Sequence, residues 1–301
     1  MTSSSVAAAR LVLAWGTVRA ASFPDRVWAA ADAGFPSIGM AVPDYLALLK
    51  AGWTDERMSA VLTEHGVTID EVEVIFGFCA PPGPANLPER PGLVYADPEI
   101  EAAAFRMADA FGARRVQAVG TFGDEPVGPQ VAAAFTALCD RAAAHGLRVA
   151  LEFVPYTNIP DLRTALDILT AAGRANGGLC VDAWHFFRGN ADFDALAAVD
   201  PGDIFMIQVN DGPATPTTPN RMFDAVHHRR CPGEGDFDLE RFLHLLDRPG
   251  LDAPISVEVY SDDLARLPSI DAARRAASTT QALLRRLPTT GTHAHQQGTG
   301  A

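Results

Sequence analysis

The chain is poor in cysteine. It has four in 301 residues, and none lies close enough in sequence to another to form a CxxC pair. The four are Cys79, Cys139, Cys180 and Cys231. Such wide spacing argues against a disulfide framework and a zinc knuckle, and it indicates free thiols in a reducing compartment. The first 16 residues do not resemble a signal peptide, because no basic segment precedes their apolar run and Arg10 interrupts that run. We therefore expect a cytoplasmic protein.

Basic residues are also scarce. There are 24 Lys and Arg against 37 Asp and Glu, which gives a formal net charge of −13. This charge repels a phosphate backbone, so we expect no nucleic-acid partner. The sequence has no window of about 18 uninterrupted apolar residues, so we expect no membrane partner either. We expect a small-molecule substrate as the partner. The sequence is also compatible with a homo-oligomer.

Short apolar runs alternate with alanine-rich amphipathic segments along the whole chain, a pattern typical of βα units around a parallel sheet. Eight runs are predicted strands: residues 11–16, 37–40, 68–75, 114–120, 149–154, 178–183, 203–209 and 254–260. Helices are predicted at residues 24–33, 55–65, 98–111, 129–145, 161–172, 237–246 and 270–287. Several of these segments end on glycine, as helices with a left-handed C-terminal residue do.

Eight βα units in a chain of this length fit a single-domain (β/α)₈ TIM barrel, with a doubly wound open sheet as the competitor. No GxGxxG motif follows the first strand, which disfavours the open sheet. We predict the barrel over residues 1–288 and a disordered tail over residues 289–301. The unit at residues 41–53 is irregular. The long connections at residues 77–95 and 211–236 are expected to cover a substrate.

Four consecutive predicted strands each carry one polar residue within an apolar run. They are Glu152 in LEF, Asp182 in VDAWH, Gln208 in IQVND and Glu258 in SVEVY. In a barrel, all four would reach the C-terminal rim, where active sites form. One such residue alone could be a hydrogen-bonded polar group of the core. Four at the equivalent point of four strands favour a shared site.

Three carboxylates and one carboxamide make an all-oxygen donor set, which suits Mn²⁺, Mg²⁺ or Co²⁺ better than an imidazole-rich zinc site would. The alternative is a buried ion-pair network with Arg230. One cation cannot compensate three buried carboxylates, so we expect one divalent metal ion instead. Its predicted ligands are Glu152, Asp182, Gln208 and Glu258.

These motifs, together with RRCPGEGDFDL at residues 229–239, resemble the xylose-isomerase-like barrel superfamily. This group contains sugar isomerases, epimerases and related dehydratases with one divalent metal at the barrel mouth. The resemblance implies metal ligation by the same four residues and substrate contacts by His185 and Arg230. Many members have histidine where this chain has Gln208. In this respect the chain is similar to hydroxypyruvate isomerases and 3-dehydroshikimate dehydratases, which leaves the reaction class open.

A divalent ion bound to a ketone oxygen acidifies the neighbouring C–H group. Glu152 and Glu258, from strands five and eight, are predicted to take and return that proton. Return to the opposite face of the same carbon is epimerisation, return to the adjacent carbon is isomerisation, and loss of a hydroxyl instead is dehydration. We predict an isomerase or epimerase for a keto-sugar or polyol. The alternatives are a dehydratase for a cyclic keto-polyol, such as 3-dehydroshikimate or an inosose, and a non-catalytic sugar-binding barrel.

Other residues near the predicted rim carry weaker signals. Trp15 and Glu73 could line the pocket, although we expect core or supporting roles for both. Asp262 and Asp263 follow the last strand, where barrel enzymes often bind phosphate through backbone amides. Their negative charge disfavours a phosphorylated substrate.

Overall fold

The eight predicted strands form one closed parallel barrel in the computed structural model, which describes residue 6 and residues 9–80, 97–123 and 128–287. Neighbours in sequence are neighbours in the barrel, and β8 pairs with β1 through Leu11–Ile255 and Leu13–Val257. The strands are β1 Leu11–Leu13, β2 Ser37–Ala41, β3 Thr68–Phe76, β4 Arg115–Val119, β5 Arg148–Glu152, β6 Gly177–Asp182, β7 Ile204–Val209 and β8 Ile255–Val257. The barrel prediction is confirmed and the open sheet is excluded.

All seven predicted helices are present among the described residues, with ends that differ by at most a few residues. The helices are α1 Phe23–Asp32, α2 Val42–Lys50, α3 Asp55–His65, α4 Pro98–Phe111, α5 Pro129–Ala143, α6 Leu162–Ala172, α7 Ala183–Arg188, α8 Phe193–Ala198, α9 Arg221–His227, α10 Leu239–Leu246, α11 Asp262–Ala265 and α12 Ser269–Leu284. None of the described helices is long and apolar enough to cross a membrane. The predicted tail and residues 81–95 of the first long connection lie outside the described residues.

Five helices were not predicted, namely α2, α7, α8, α9 and α11. They have between four and nine residues, which is too short for a clear helical periodicity. The irregular unit at residues 41–53 contains α2, which begins at Val42 directly after β2 ends at Ala41. Helix α7 likewise follows β6 without a loop, because the Asp182 side chain accepts a hydrogen bond from the Trp184 amide and caps it.

Polar side chains occupy part of the barrel interior below the mouth. Arg115 donates to Asp70 over 2.7 Å and to the Phe205 carbonyl over 2.8 Å. Glu71 is fully buried beside them and accepts a 2.7 Å hydrogen bond from the Ser256 hydroxyl. Its Oε1 has no hydrogen-bond partner among the described residues. Burial accordingly raises the pKa of Glu71 from 4.5 to about 8.

Glu71→Gln is expected to reduce the loss of stability at alkaline pH. The folded pKa of Glu71 exceeds the unfolded one, so its contribution is full below pH 4.5 and is lost as the pH rises through 8. At about 1.36 kcal/mol per pKa unit, the loss is on the order of 5 kcal/mol. Urea unfolding of both proteins at several pH values measures it. A difference in unfolding free energy that stays constant with pH would contradict the assignment.

Candidate active site

The four predicted metal-ligating residues lie together at the C-terminal mouth of the barrel. Glu152 and Asp182 are the last residues of β5 and β6, Gln208 lies near the end of β7, and Glu258 directly follows β8. Each is at most 4% exposed. The register of the sheet pairs Asp182 with Gln208. The fold therefore brings together side chains that are up to 106 residues apart in sequence.

Hydrogen bonds connect these residues, partly through Gln117 of β4. Gln117 donates to Glu152 over 2.8 Å and lies 3.5 Å from Gln208 Oε1. Gln208 in turn donates to Glu258 over 3.0 Å. Gln117 was not predicted, although its polar side chain between the apolar residues of RVQAV is the same signal that identified the other four. We call Glu152, Asp182, Gln208 and Glu258, with Gln117, the carboxylate cluster.

The arginine that reaches the cluster is Arg229. Its Nη1 lies 2.8 Å from Asp182 Oδ2 and 2.9 Å from Glu258 Oε2, and its Nε donates to the Ala225 carbonyl. Arg229 is 3% exposed. The substrate contact predicted from the sequence is the adjacent residue, Arg230, and that role stays a prediction.

Arg230 lies outside the cluster. Its side chain is exposed, and its Nη1 is 3.5 Å from the Glu234 carbonyl oxygen. The backbone of Arg230 bridges to Asp211 in an antiparallel arrangement, so this segment is extended. Successive side chains of an extended segment point to opposite sides. Because Arg229 points into the barrel mouth, its neighbour points out.

His185 lies next to the carboxylates of the cluster. Its Nε2 is 3.6 Å from Glu152 Oε1, and its ring meets the Tyr156 ring edge-on. Three side chains could jointly hold a metal ion, namely Glu152, Asp182 and His185. Each offers one ligand atom, and these three atoms lie within 4.8 Å of one another. His185 was predicted to contact the substrate, and its position would also allow it to bind a metal ion.

Burial and charge act differently on the members of the cluster. Burial, together with the other carboxylates, raises the pKa values of Glu152 and Glu258 well above their ordinary range. Burial also opposes ionisation of Asp182, but Arg229, His185 and Asn210 outweigh it and lower the pKa of this carboxyl. Burial lowers the pKa of His185 to about 4, so its imidazole is neutral at pH 7 and free to act as a ligand.

The donor set fits a divalent cation. Three buried carboxylates face one guanidinium, so the cluster would carry excess negative charge if all three were ionised. Two buried atoms near them, His185 Nδ1 and Asn210 Oδ1, have no hydrogen-bond partner among the described residues. Carboxylates suit Mg²⁺ and Mn²⁺, and an added imidazole favours Zn²⁺. We therefore expect a bound divalent metal ion to neutralise the excess negative charge of the carboxylates.

A cavity of about 160 Å³ lies over the cluster. Glu152, His185, Arg229 and Glu258 line its polar side, and Phe122 and Tyr156 stack over a ring distance of 5.8 Å on its apolar side. Helix α9 contributes Met222 and Val226. The second long connection thus helps to cover the site, as predicted. We call this space the cluster cavity.

Comparisons with known proteins agree with this geometry. The chain matches the family model described as xylose isomerase-like TIM barrel over residues 27–287. It is 30% identical over 162 residues to an inosose isomerase of Bacillus velezensis, which is 53% of this chain and 56% of that protein. It is 31% identical over 134 residues to a 3-dehydroshikimate dehydratase of Pseudomonas aeruginosa, 44% of this chain and 21% of that protein. The chain thus spans about half the length of the inosose isomerases that it matches.

Two solved structures with low sequence identity share the fold. An IolI protein with a bound zinc atom has a TM-score of 0.79 at 21% identity, and the match covers 93% of this chain and 99% of that one. A D-allulose 3-epimerase from Methylomonas sp. in complex with D-allulose has a TM-score of 0.64 at 17% identity, covering 91% and 96%. At these identities the likeness concerns the fold alone.

Proposed function

Because the chain belongs to the xylose isomerase-like TIM barrel family, we propose that it is a divalent-metal-dependent isomerase or epimerase. It would remove a proton from the carbon next to the carbonyl group of a keto-sugar or keto-polyol. The observation that carries the proposal is the carboxylate cluster, in which Glu152 and Glu258 are buried at the mouth with Asp182 and Arg229. Inosose isomerases among the relatives make a cyclic keto-polyol the first substrate to test.

Glu152, Asp182, Gln208 and Glu258 remain the proposed ligands, and His185 is a further candidate. We propose Mn²⁺ or Mg²⁺ because carboxylates dominate this set, with Co²⁺ as a further option. Zn²⁺ enters as a competitor because one structural neighbour contains it and because His185 adds an imidazole. When bound, the ion would supply an electrophile that acidifies the C–H group next to the substrate carbonyl.

Glu152 and Glu258 are the proposed proton-transfer groups. They extend from β5 and β8, so a substrate between them would present one face to each carboxyl group. One would remove the proton and the other would return it. Burial raises the pKa values of both, which moves them toward the range where a carboxyl group exchanges protons efficiently near neutral pH.

Arg229 and His185 are the proposed groups that orient the substrate. Nη1 of Arg229 pairs with Asp182 and Glu258, so the guanidinium is held rigidly and can donate from its other amino group to a substrate oxygen. The neutral imidazole of His185 can donate one hydrogen bond to a hydroxyl group when it is not a ligand. Together they would fix which carbon faces the two glutamates.

A dehydratase acting on a cyclic keto-polyol is the second candidate. Its support is the similarity to 3-dehydroshikimate dehydratases of two Pseudomonas species. The same first step, proton removal next to a carbonyl, would lead to loss of a hydroxyl group. A neighbouring carboxyl group held in its protonated form, as burial favours for Glu152 and Glu258, could protonate that leaving group. A barrel that only binds sugar would need neither glutamate.

The two enzymatic candidates differ in their products. The metal-loaded protein is incubated with an inosose and, separately, with 3-dehydroshikimate. An isomerase or epimerase gives a new keto-polyol of the same mass, which chromatography detects. A dehydratase loses water and gives a conjugated product with ultraviolet absorbance. If neither substrate reacts, the panel is extended to linear ketoses, and inertness to every member with bound metal would leave only the binding role.

Metal binding itself is expected to raise the melting temperature. A ligand at 100 times its Kd stabilises the folded state by about 2.7 kcal/mol, which corresponds to roughly 5–10 °C for a chain of this size. Differential scanning fluorimetry of the chelated protein, with Mn²⁺, Mg²⁺, Co²⁺ or Zn²⁺ added, measures the shift. Asp182→Asn should abolish it, whereas the exposed Asp194→Asn should keep it. A shift of equal size in both variants would contradict the site.

A further inference from the structure

A second cavity, of about 290 Å³, lies beside the cluster cavity. Trp15, Ala41, Phe76, Ile100 and Tyr260 are among its walls, and we call it the aromatic chamber. The two cavities share a wall formed by Glu73, Val74, Phe76 and Tyr260. A molecule bound at the carboxylate cluster would therefore have the aromatic chamber as its immediate neighbour.

The walls of the aromatic chamber are held by specific contacts. The Trp15 amide donates to Glu73 Oε1 over 3.0 Å, and the Trp15 indole donates to Asp44 Oδ2 over 2.6 Å. Gly39 leaves room for Glu73, because a Cβ at this position would lie 1.8 Å from Glu73 Oε1. Gly16 likewise leaves room for the Tyr260 ring, which lies 6.2 Å from the Trp15 ring. The chamber is thus built into the ends of β1, β2 and β3.

The charges around the aromatic chamber select against anions. Asp44, Glu73 and Asp97 line it, and its described lining contains no Lys or Arg. The nearby Arg26 is 1% exposed and donates to Asp44, so this cation is already paired. A phosphate or carboxylate group would meet three acidic side chains and no free cation of the lining.

We propose that the aromatic chamber binds an uncharged apolar ring carried by the substrate, while the polyol part of the same molecule lies at the carboxylate cluster. A dry cavity of about 150 Å³ is enough for benzene, so the chamber has room for a substituted ring. The substrate class is then a keto-polyol with an aryl or cycloalkyl substituent, larger than a free ketose. The assignment of the polyol part rests on the proposed function.

Binding of the ring can be tested without the polyol. The probe is 4-fluorophenol, followed by ¹⁹F NMR line broadening during titration with the full chain. We expect saturable binding to the wild type and at least tenfold weaker binding to Ala41→Leu and to Ile100→Trp, which fill the chamber. The exposed Ala143→Leu should bind as the wild type does. Since Ala41 is buried, Ile100→Trp serves as the second variant if Ala41→Leu does not fold.

The anionic probe 4-fluorobenzoate should show no saturable binding, because of the acidic lining. Absence of 4-fluorophenol binding to the wild type would overturn the proposal. So would equal affinity in the wild type and in a folded chamber-filling variant, since the probe would then lie elsewhere. Binding of 4-fluorobenzoate as tight as that of 4-fluorophenol would overturn the selection for an uncharged ring.

The link between ring and polyol needs a second titration. Calorimetry compares myo-inositol with its mono-O-benzyl ether on the metal-loaded protein. We expect about tenfold tighter binding of the ether, equivalent to about 1.4 kcal/mol, and loss of this gain in Ile100→Trp. Equal affinities would overturn the linked substrate. If neither compound binds while 4-fluorophenol does, the linked substrate is overturned and the ring site stands.

Discussion

Glu152→Gln and Glu258→Gln are each expected to lower turnover by about 10²- to 10⁴-fold, the usual contribution of a general acid or base. Glutamine keeps the size of glutamate but cannot take a proton from carbon. In Glu152→Gln the amide oxygen can still accept the hydrogen bond from Gln117, and in Glu258→Gln it can still accept from Gln208. The fold should therefore survive, and single-turnover kinetics at saturating metal isolates the chemical step.

A matched control separates the loss of a base from the loss of a charge. Glu240→Gln makes the same change at an exposed residue that pairs with Arg286 on the surface. It should leave turnover unchanged. Metal binding by each active-site variant is measured by its melting temperature with added Mn²⁺, and turnover is compared at a metal concentration that saturates each protein. Near-normal turnover in either active-site variant with bound metal would rule that glutamate out as a proton-transfer group.

Arg229→Met is expected to lower the unfolding free energy of the metal-free protein by about 3–5 kcal/mol. Arg229 is buried and carries ion pairs of 2.8 Å to Asp182 and 2.9 Å to Glu258, so its removal leaves two buried carboxyl groups without their cation. Arg230→Met is the matched control, because the adjacent side chain is exposed. Its effect should stay within about 0.5 kcal/mol. Urea unfolding of the chelated proteins measures both.

Turnover measurements compare Arg229 and Arg230 independently of stability. Arg229→Met should also reduce turnover. Arg229→Lys should restore it only partly, because one ammonium group cannot replace both Nη1, which contacts the two carboxylates, and Nε, which donates to the Ala225 carbonyl. Arg230→Met should leave turnover intact. If Arg230→Met is the more damaging substitution in stability and in turnover, the structural assignment of the site arginine is wrong.

The barrel could be predicted from the sequence because its signal is local. Most strands are short apolar runs, and β2, β4 and β7 are buried along their whole length, as parallel strands covered by helices must be. Short helices were missed because they lack a full amphipathic repeat. Helix α9 has seven residues and is held by its Asn220 cap and by contacts over the barrel mouth, which depend on the closed fold.

The site was predictable to the level of strand ends and not beyond. A polar residue in an apolar strand identified Glu152, Asp182, Gln208 and Glu258, and the barrel predicts that such residues converge. Which of two adjacent arginines points inward depends on the backbone bridge between residues 211 and 230, which no local pattern reveals. The 3.6 Å separation of His185 and Glu152 likewise follows from how α7 leaves β6.

Hydrogen exchange at carbon directly tests proton transfer by Glu152 and Glu258. The metal-loaded protein is mixed with an inosose in D₂O, and proton NMR follows the C–H group next to the carbonyl. We predict deuterium incorporation that stops on chelation, returns with added divalent metal, and is about 10²- to 10⁴-fold slower in Glu152→Gln and Glu258→Gln. Exchange that persists at the same rate after chelation, or in both variants, would contradict proton transfer by these glutamates at a metal-dependent site.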